Sequence, residues 1–127
     1  MKIWNKMYFF DSYALVEIVQ GNYNYDKYKT DIPICTVLNL FELHQALLRE
    51  FNDKTADYWI NKFDYTLLEI TKEDIIAASV FRFRNKDKRL SSADCIGYVM
   101  ARKHKLKFLT GDKEFKEMDN VEFITKE

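Results

Sequence analysis

With 127 residues, 47% of them hydrophobic, the chain can bury one self-sufficient core and is too apolar for a disordered polymer. Lys and Arg number 20 against 20 Asp and Glu, which excludes nucleic-acid binding driven by a global positive field and leaves only a local patch for any polyanion. The two cysteines, Cys35 and Cys95, lie far apart without C-x-x-C spacing, which argues against a disulfide scaffold and for a reducing compartment.

In chain order, the opening MKIWNKMYFFDS has too short an apolar run for a signal peptide, and no window approaches a membrane span. A soluble, cytoplasmic protein is expected, with residues 1–6 as a short N-terminal extension. A strand is predicted at about Met7 to Phe10 and a helix from Ser12 to Gln20. A polar, Tyr-rich stretch, GNYNYDKYKTD, leads to a second strand around Ile34 to Thr36 and a helix from Asn39 to Phe51. Helical spacing covers Thr55 to Phe63, and YTLLEI reads as a strand. Thr71 caps a helix to about Asn85; after a basic loop, Ser91 or Ser92 starts another to Lys105. Strand KFL and a last short strand near VEFI finish the pattern. No repeat or linker divides the chain, so residues 1–127 are expected to form a single domain. Strands alternating with helices imply an α/β fold with a mainly parallel sheet of four or five strands and helices on both faces.

In such sheets sites form at the carboxyl ends of strands. Asp11 ends the first strand, Asp112 follows KFLTG, Asp94 starts the helix before that strand, and Glu42 lies near the start of the helix after strand two. Four acids can therefore face one edge. Each also has a purely structural role on offer. Asp112 can cap the short turn containing Phe115, and Ser91-x-x-Asp94 resembles a capping box, a pattern that Thr71-x-x-Asp74 repeats without any assigned function. Asp94 differs in that its helix is apolar nearly all round, and a buried carboxylate without a cation is costly. Glu42 shares a polar face with Gln45 and Arg49, opposite Leu40, Leu43, Leu47 and Phe51, where solvent accounts for it. His44 falls in the apolar arc and reads as a core or interface residue; His104 reads as a helix C-terminus residue.

If the acids converge, their repulsion must be relieved by raised pKa values or by a cation. Oxygen ligands without Cys or His select Mg²⁺ or Mn²⁺ over zinc, and such ions serve phosphodiester hydrolysis. The order FFDS, then an acid in TVLNLFELHQALL, then LSSADCIGYVMARKHKLKFLTGDKEF resembles the PIN-domain ribonucleases, especially the VapC-type toxins of toxin–antitoxin pairs, over about Tyr8 to Phe123. The resemblance implies a three-layer α/β/α PIN fold and Mg²⁺- or Mn²⁺-dependent RNA cleavage. It also implies a homodimer and a cognate antitoxin. It places the acidic quartet on Asp11, Glu42, Asp94 and Asp112, with Asp11 and Asp94 foremost among the metal ligands and Asp112 beside them. Ser12 and Thr110 match the small hydroxyl residues next to the first and last acids.

The segment RFRNKDKR supplies five cations, Arg82, Arg84, Lys86, Lys88 and Arg89, against one acid, and is a candidate RNA surface or a solvated helix end. Two other classes fit less well. A receiver-type domain wants adjacent acids after strand one and an acceptor Asp after strand three, and an Asp-nucleophile phosphatase wants D-x-D where this chain has Asp11-Ser12-Tyr13. A catalytically silent PIN-like RNA-binding or interaction module is the remaining alternative.

Overall fold

The computed structural model describes residues 7–127, so the extension predicted at residues 1–6 lies outside the described part. Five strands, β1 (Tyr8–Phe10), β2 (Ile34–Cys35), β3 (Thr66–Leu67), β4 (Lys107–Thr110) and β5 (Val121–Phe123), form one sheet in the order β3-β2-β1-β4-β5. Every neighbouring pair is parallel, as the alternating pattern predicts. Between them run α1 (Ser12–Val19), α2 (Val37–Glu50), α3 (Asp53–Lys62), α4 (Lys72–Arg84) and α5 (Ser92–Lys103), with 3₁₀ turns at Tyr23–Tyr28 and Lys113–Phe115.

The central strands explain the layering. A period of two turns Phe9 to one face of the sheet and Tyr8 and Phe10 to the other. Phe9 stacks with Phe108 at 5.8 Å, and α5 lies on both rings. Only glycine permits that approach at position 97, where a Cβ would stand 2.9 Å from Phe9 and 3.2 Å from Phe108. On the opposite face Tyr8 meets the edge of Tyr28 at 5.1 Å. The result is a three-layer α/β/α sandwich around a core that includes Phe9, Phe10, Leu43, Leu47, Met100, Phe108 and Leu109.

Local departures from the expected elements have identifiable causes. Strand two stops at Cys35 because Thr36 leaves the sheet to cap α2, its hydroxyl oxygen accepting the Leu38 N–H at 3.2 Å. The helix therefore starts at Val37 rather than Asn39, and Glu42 sits in its second turn. The strand predicted over YTLLEI shrinks to Thr66–Leu67, an exposed edge with few partners. The Tyr-rich stretch holds a 3₁₀ turn that buries Tyr25 and Tyr28. The Tyr25 hydroxyl donates to the Ile124 carbonyl and the Tyr28 hydroxyl to the Glu122 carboxylate, which ties the turn to the C-terminal segment. Cys35 and Cys95 are free and buried, as expected. Among the described residues no helix is long and apolar enough to cross a membrane.

Candidate functional site

The strand order places the site. From β1 the chain winds outward through β2 to β3, then crosses back to β4 on the other side of β1. The topological switch point therefore lies between β1 and β4, at the carboxyl ends of the strands. Asp11 leaves the sheet there, its N–H still donating to the Leu109 carbonyl at 3.0 Å. Asp112 stands two residues beyond β4.

Asp11 is 2% exposed. Its Oδ2 accepts the Thr110 hydroxyl at 2.7 Å, and Thr110 Oγ1 in turn accepts the Asp112 N–H at 3.1 Å. Thr110 thus links the first and last acids of the predicted quartet. The second carboxylate oxygen, Asp11 Oδ1, is the one buried side-chain N or O atom among the described residues without a hydrogen-bond partner. Burial raises the Asp11 pKa well above the carboxylate range, the Asp94 charge raises it further, and bonds from Thr110 and the Ser12 N–H only partly offset this.

Asp94 and Asp74 form a comparison within the molecule. Both occupy the third position of a capping box, Asp94 accepting the Ser91 N–H and Asp74 the Thr71 N–H, each at 2.9 Å. Asp74 also meets Lys103 Nζ at 2.9 Å. Burial pulls the Asp74 pKa up, but the Thr71 N–H and Lys103 outweigh it and the net shift is downward. Asp94 has the same cap and, among the described residues, no cation. Burial raises its pKa, Asp112 and Glu42 add to the rise, and the Ser91 N–H opposes it without prevailing. Matching capping boxes therefore leave their acids shifted in opposite directions.

Glu42 is not simply solvated, contrary to the reading of its helix face. α1 packs on α2, and the Ser12 hydroxyl donates to Glu42 Oε1 at 2.7 Å. Ser91 Oγ makes a longer contact of 3.4 Å to Glu42 Oε2. Asp112 does act as a cap, Oδ1 accepting the Glu114 N–H at 3.0 Å. Asn39, fully buried, donates from Nδ2 to Ser12 Oγ at 3.0 Å and was missed in the sequence. The pattern Thr36-x-x-Asn39 would have revealed it, had the strand been ended at Cys35.

These oxygens suit a hard cation chemically, and the unpartnered Asp11 Oδ1 is an atom such an ion would satisfy. Among the described residues, however, no three His, Cys, Asp or Glu side chains form a group that could hold an ion as they stand. Two of the acids have an oxygen committed to a helix cap, and uncompensated carboxylates repel. Neither histidine joins them. His44 is half-buried rather than in the core, its Nε2 lying 2.8 Å from Asp57 across α2 and α3, and His104 ends α5.

The basic segment divides. Arg82 Nε donates to the Leu90 carbonyl at 2.9 Å, so this arginine fastens the loop that leads into Ser91 and Asp94. Arg84, Lys86 and Arg89 are exposed and Lys88 is half-exposed.

Residues 8–121 match the PIN domain family model, and the chain belongs to that family. Two solved structures share its fold. One is a toxin–antitoxin complex from Klebsiella pneumoniae, with TM-score 0.70 and 15% identity over 94% of this chain and 98% of that one. The other is the Mycobacterium tuberculosis toxin VapC20, described as cleaving the sarcin–ricin loop, with TM-score 0.76 and 15% identity over 91% and 98%. No curated protein matches in sequence.

Proposed function

We propose that this chain is a Mg²⁺- or Mn²⁺-dependent endoribonuclease and the VapC-type toxin of a toxin–antitoxin pair. The observation that carries this reading is the contrast between the two capping boxes. Asp74 is neutralised by Lys103, while Asp94 stands with Asp11, Glu42 and Asp112 at the switch point and meets no cation among the described residues. Membership of the PIN family supports the nuclease chemistry, and the two structural neighbours, both described as toxins or toxin complexes, support the biological role.

On this reading Asp11, Asp94 and Asp112 would hold the ion once their side chains turn toward it, and Glu42 faces the same edge. A divalent ion there would supply Lewis-acid polarisation of a phosphodiester oxygen and activation of water. The chain contributes the rest. Thr110 keeps Asp11 Oδ2 fixed and leaves Oδ1 free to ligate; Ser12 holds Glu42; Arg84, Lys86, Lys88 and Arg89 attract the RNA backbone, with Arg82 anchoring their loop. The exposed apolar side chains Ile75, Ile76, Val80 and Phe83 on α4 support a homodimer, and two buried free thiols suit a reducing cytoplasm. A cognate antitoxin is the expected protein partner.

The test is cleavage of RNA by purified protein with Mg²⁺ or Mn²⁺ and with EDTA. Cleavage that stops on chelation and returns with Mn²⁺ is expected. Full activity in metal-free protein would overturn the mechanism.

A further inference from the structure

We propose that Asn39 is a positioning residue of this site, one that turns the Ser12 hydroxyl proton onto Glu42 and so makes the start of α2 part of the cleavage machinery. The inference rests on the nuclease reading above.

The direction of each hydrogen follows from the donors. The Thr36 N–H can only donate, and it points at Asn39 Oδ1 at 2.9 Å; the Thr36 hydroxyl reaches the same oxygen at 3.2 Å. Two donors on one atom identify it as the amide oxygen, which turns the NH₂ of Asn39 toward Ser12 Oγ at 3.0 Å. Ser12 Oγ accepts that bond and has a single proton left to give. It goes to Glu42 Oε1, 2.7 Å away. While Asn39 is in place, the Ser12 hydroxyl is committed to Glu42 and holds its carboxylate in one orientation.

A helix cap alone does not require this residue. The boxes that begin α4 and α5 place Asp at the equivalent position, Asp74 and Asp94, and both cap equally well. Only α2 uses Asn there. An Asp at position 39 would set another acceptor against Ser12, beside Glu42 and near Asp11. Asn supplies the same acceptor to the cap and a donor to the site. Its side chain is 0% exposed, so the amide N–H would be an uncompensated buried donor if Ser12 did not receive it.

The experiment is a double-mutant cycle on Asn39→Ala and Ser12→Ala, read by RNA cleavage per folded molecule, thermal melting and calorimetric Mn²⁺ titration. Each single change should lower kcat by roughly 10- to 100-fold with KM within about twofold, as removal of an orienting partner does. The double variant should be no slower than Ser12→Ala alone, while Mn²⁺ affinity stays within about threefold of wild type, because neither side chain is a ligand. Asn39→Asp keeps the cap acceptor and, once ionised, removes the donor, so it decides the matter if the alanine variant fails to fold; assayed on the alkaline side, where a buried acid at this position has lost its proton, it should show the same drop in kcat. Multiplying losses in the double variant, or wild-type kcat in Asn39→Asp, would overturn the relay alone. A wild-type protein that cuts no RNA with Mn²⁺ would overturn the nuclease reading and this inference together.

Discussion

Asp94→Asn separates the helix cap that this side chain forms from the charge that it carries. Asp94 Oδ2 accepts the Ser91 N–H at 2.9 Å, and an asparagine oxygen can accept the same bond, so the start of α5 should survive the change. The charge does not survive. Among the neighbouring charges, Asp94 is the largest contributor to the raised Asp11 pKa, after burial itself. Both carboxyls have native pKa values above their unfolded ones. The metal-free fold is therefore strongest where they are protonated, and loses stability as pH rises from the ordinary carboxylate range through the raised native values. Asp94→Asn should relieve that loss. A tenfold change in proton affinity corresponds to about 1.4 kcal/mol, so relieving one or two such factors is worth about 1–3 kcal/mol. For a domain of this size that is a Tm increase of roughly 3–10 °C. Calorimetry in EDTA should show the increase at about pH 7.5 and little difference at about pH 4, where the wild-type carboxyl is largely protonated. With Mn²⁺ present, cleavage should fall at least about 100-fold, because a neutral amide is a poor ligand for a hard cation. An unchanged or lower Tm at neutral pH, with the folded fraction still cutting at the wild-type rate, would make Asp94 a cap and nothing more.

The matching control is Asp74→Asn, which should leave cleavage per folded molecule unchanged yet lower the neutral-pH stability by about 1–2 kcal/mol by breaking the pair with the half-exposed Lys103. Because the native Asp74 pKa is depressed, this contribution is present above the carboxylate range and fades in acid, so the gap between variant and wild type should close as pH falls. Thr110→Val should leave Asp11 Oδ2 without its 2.7 Å donor, cost about 1–3 kcal/mol in melting experiments, and slow cleavage; unchanged stability would mean that this bond contributes nothing. Changing Arg84, Lys86 and Lys88 together to Ala should weaken RNA binding and reduce the salt slope by about 0.7 for each phosphate no longer neutralised, with Mn²⁺ affinity unaffected. An unaltered slope would assign those cations to solvent.

Much of the architecture was legible in the sequence, because periodicity, caps and turns depend on residues within about four positions of one another. The alternation of strands and helices, the acid at the end of β1 and the capping box before Asp94 are all of this kind. The start of α2 is local information too: Thr36 taken as the end of a strand conceals both the cap and Asn39. What the local pattern could not supply was the neighbours of each charge. Ser91-x-x-Asp94 and Thr71-x-x-Asp74 are alike in sequence, and only the packing of α4 against α5 brings Lys103 to one of them. The helical wheel of α2 put Glu42 on a solvated face, and only the docking of α1 covers it with Ser12, 30 residues away. Thr110 reaches Asp11 across 99 residues because β1 and β4 are adjacent in the sheet, an adjacency fixed by strand order and not by either strand's own residues. The sequence alone thus determined which carboxylates stand at the ends of elements. The tertiary fold decided which of them meet a cation and which meet one another, since electrostatic partners are set by distance in space.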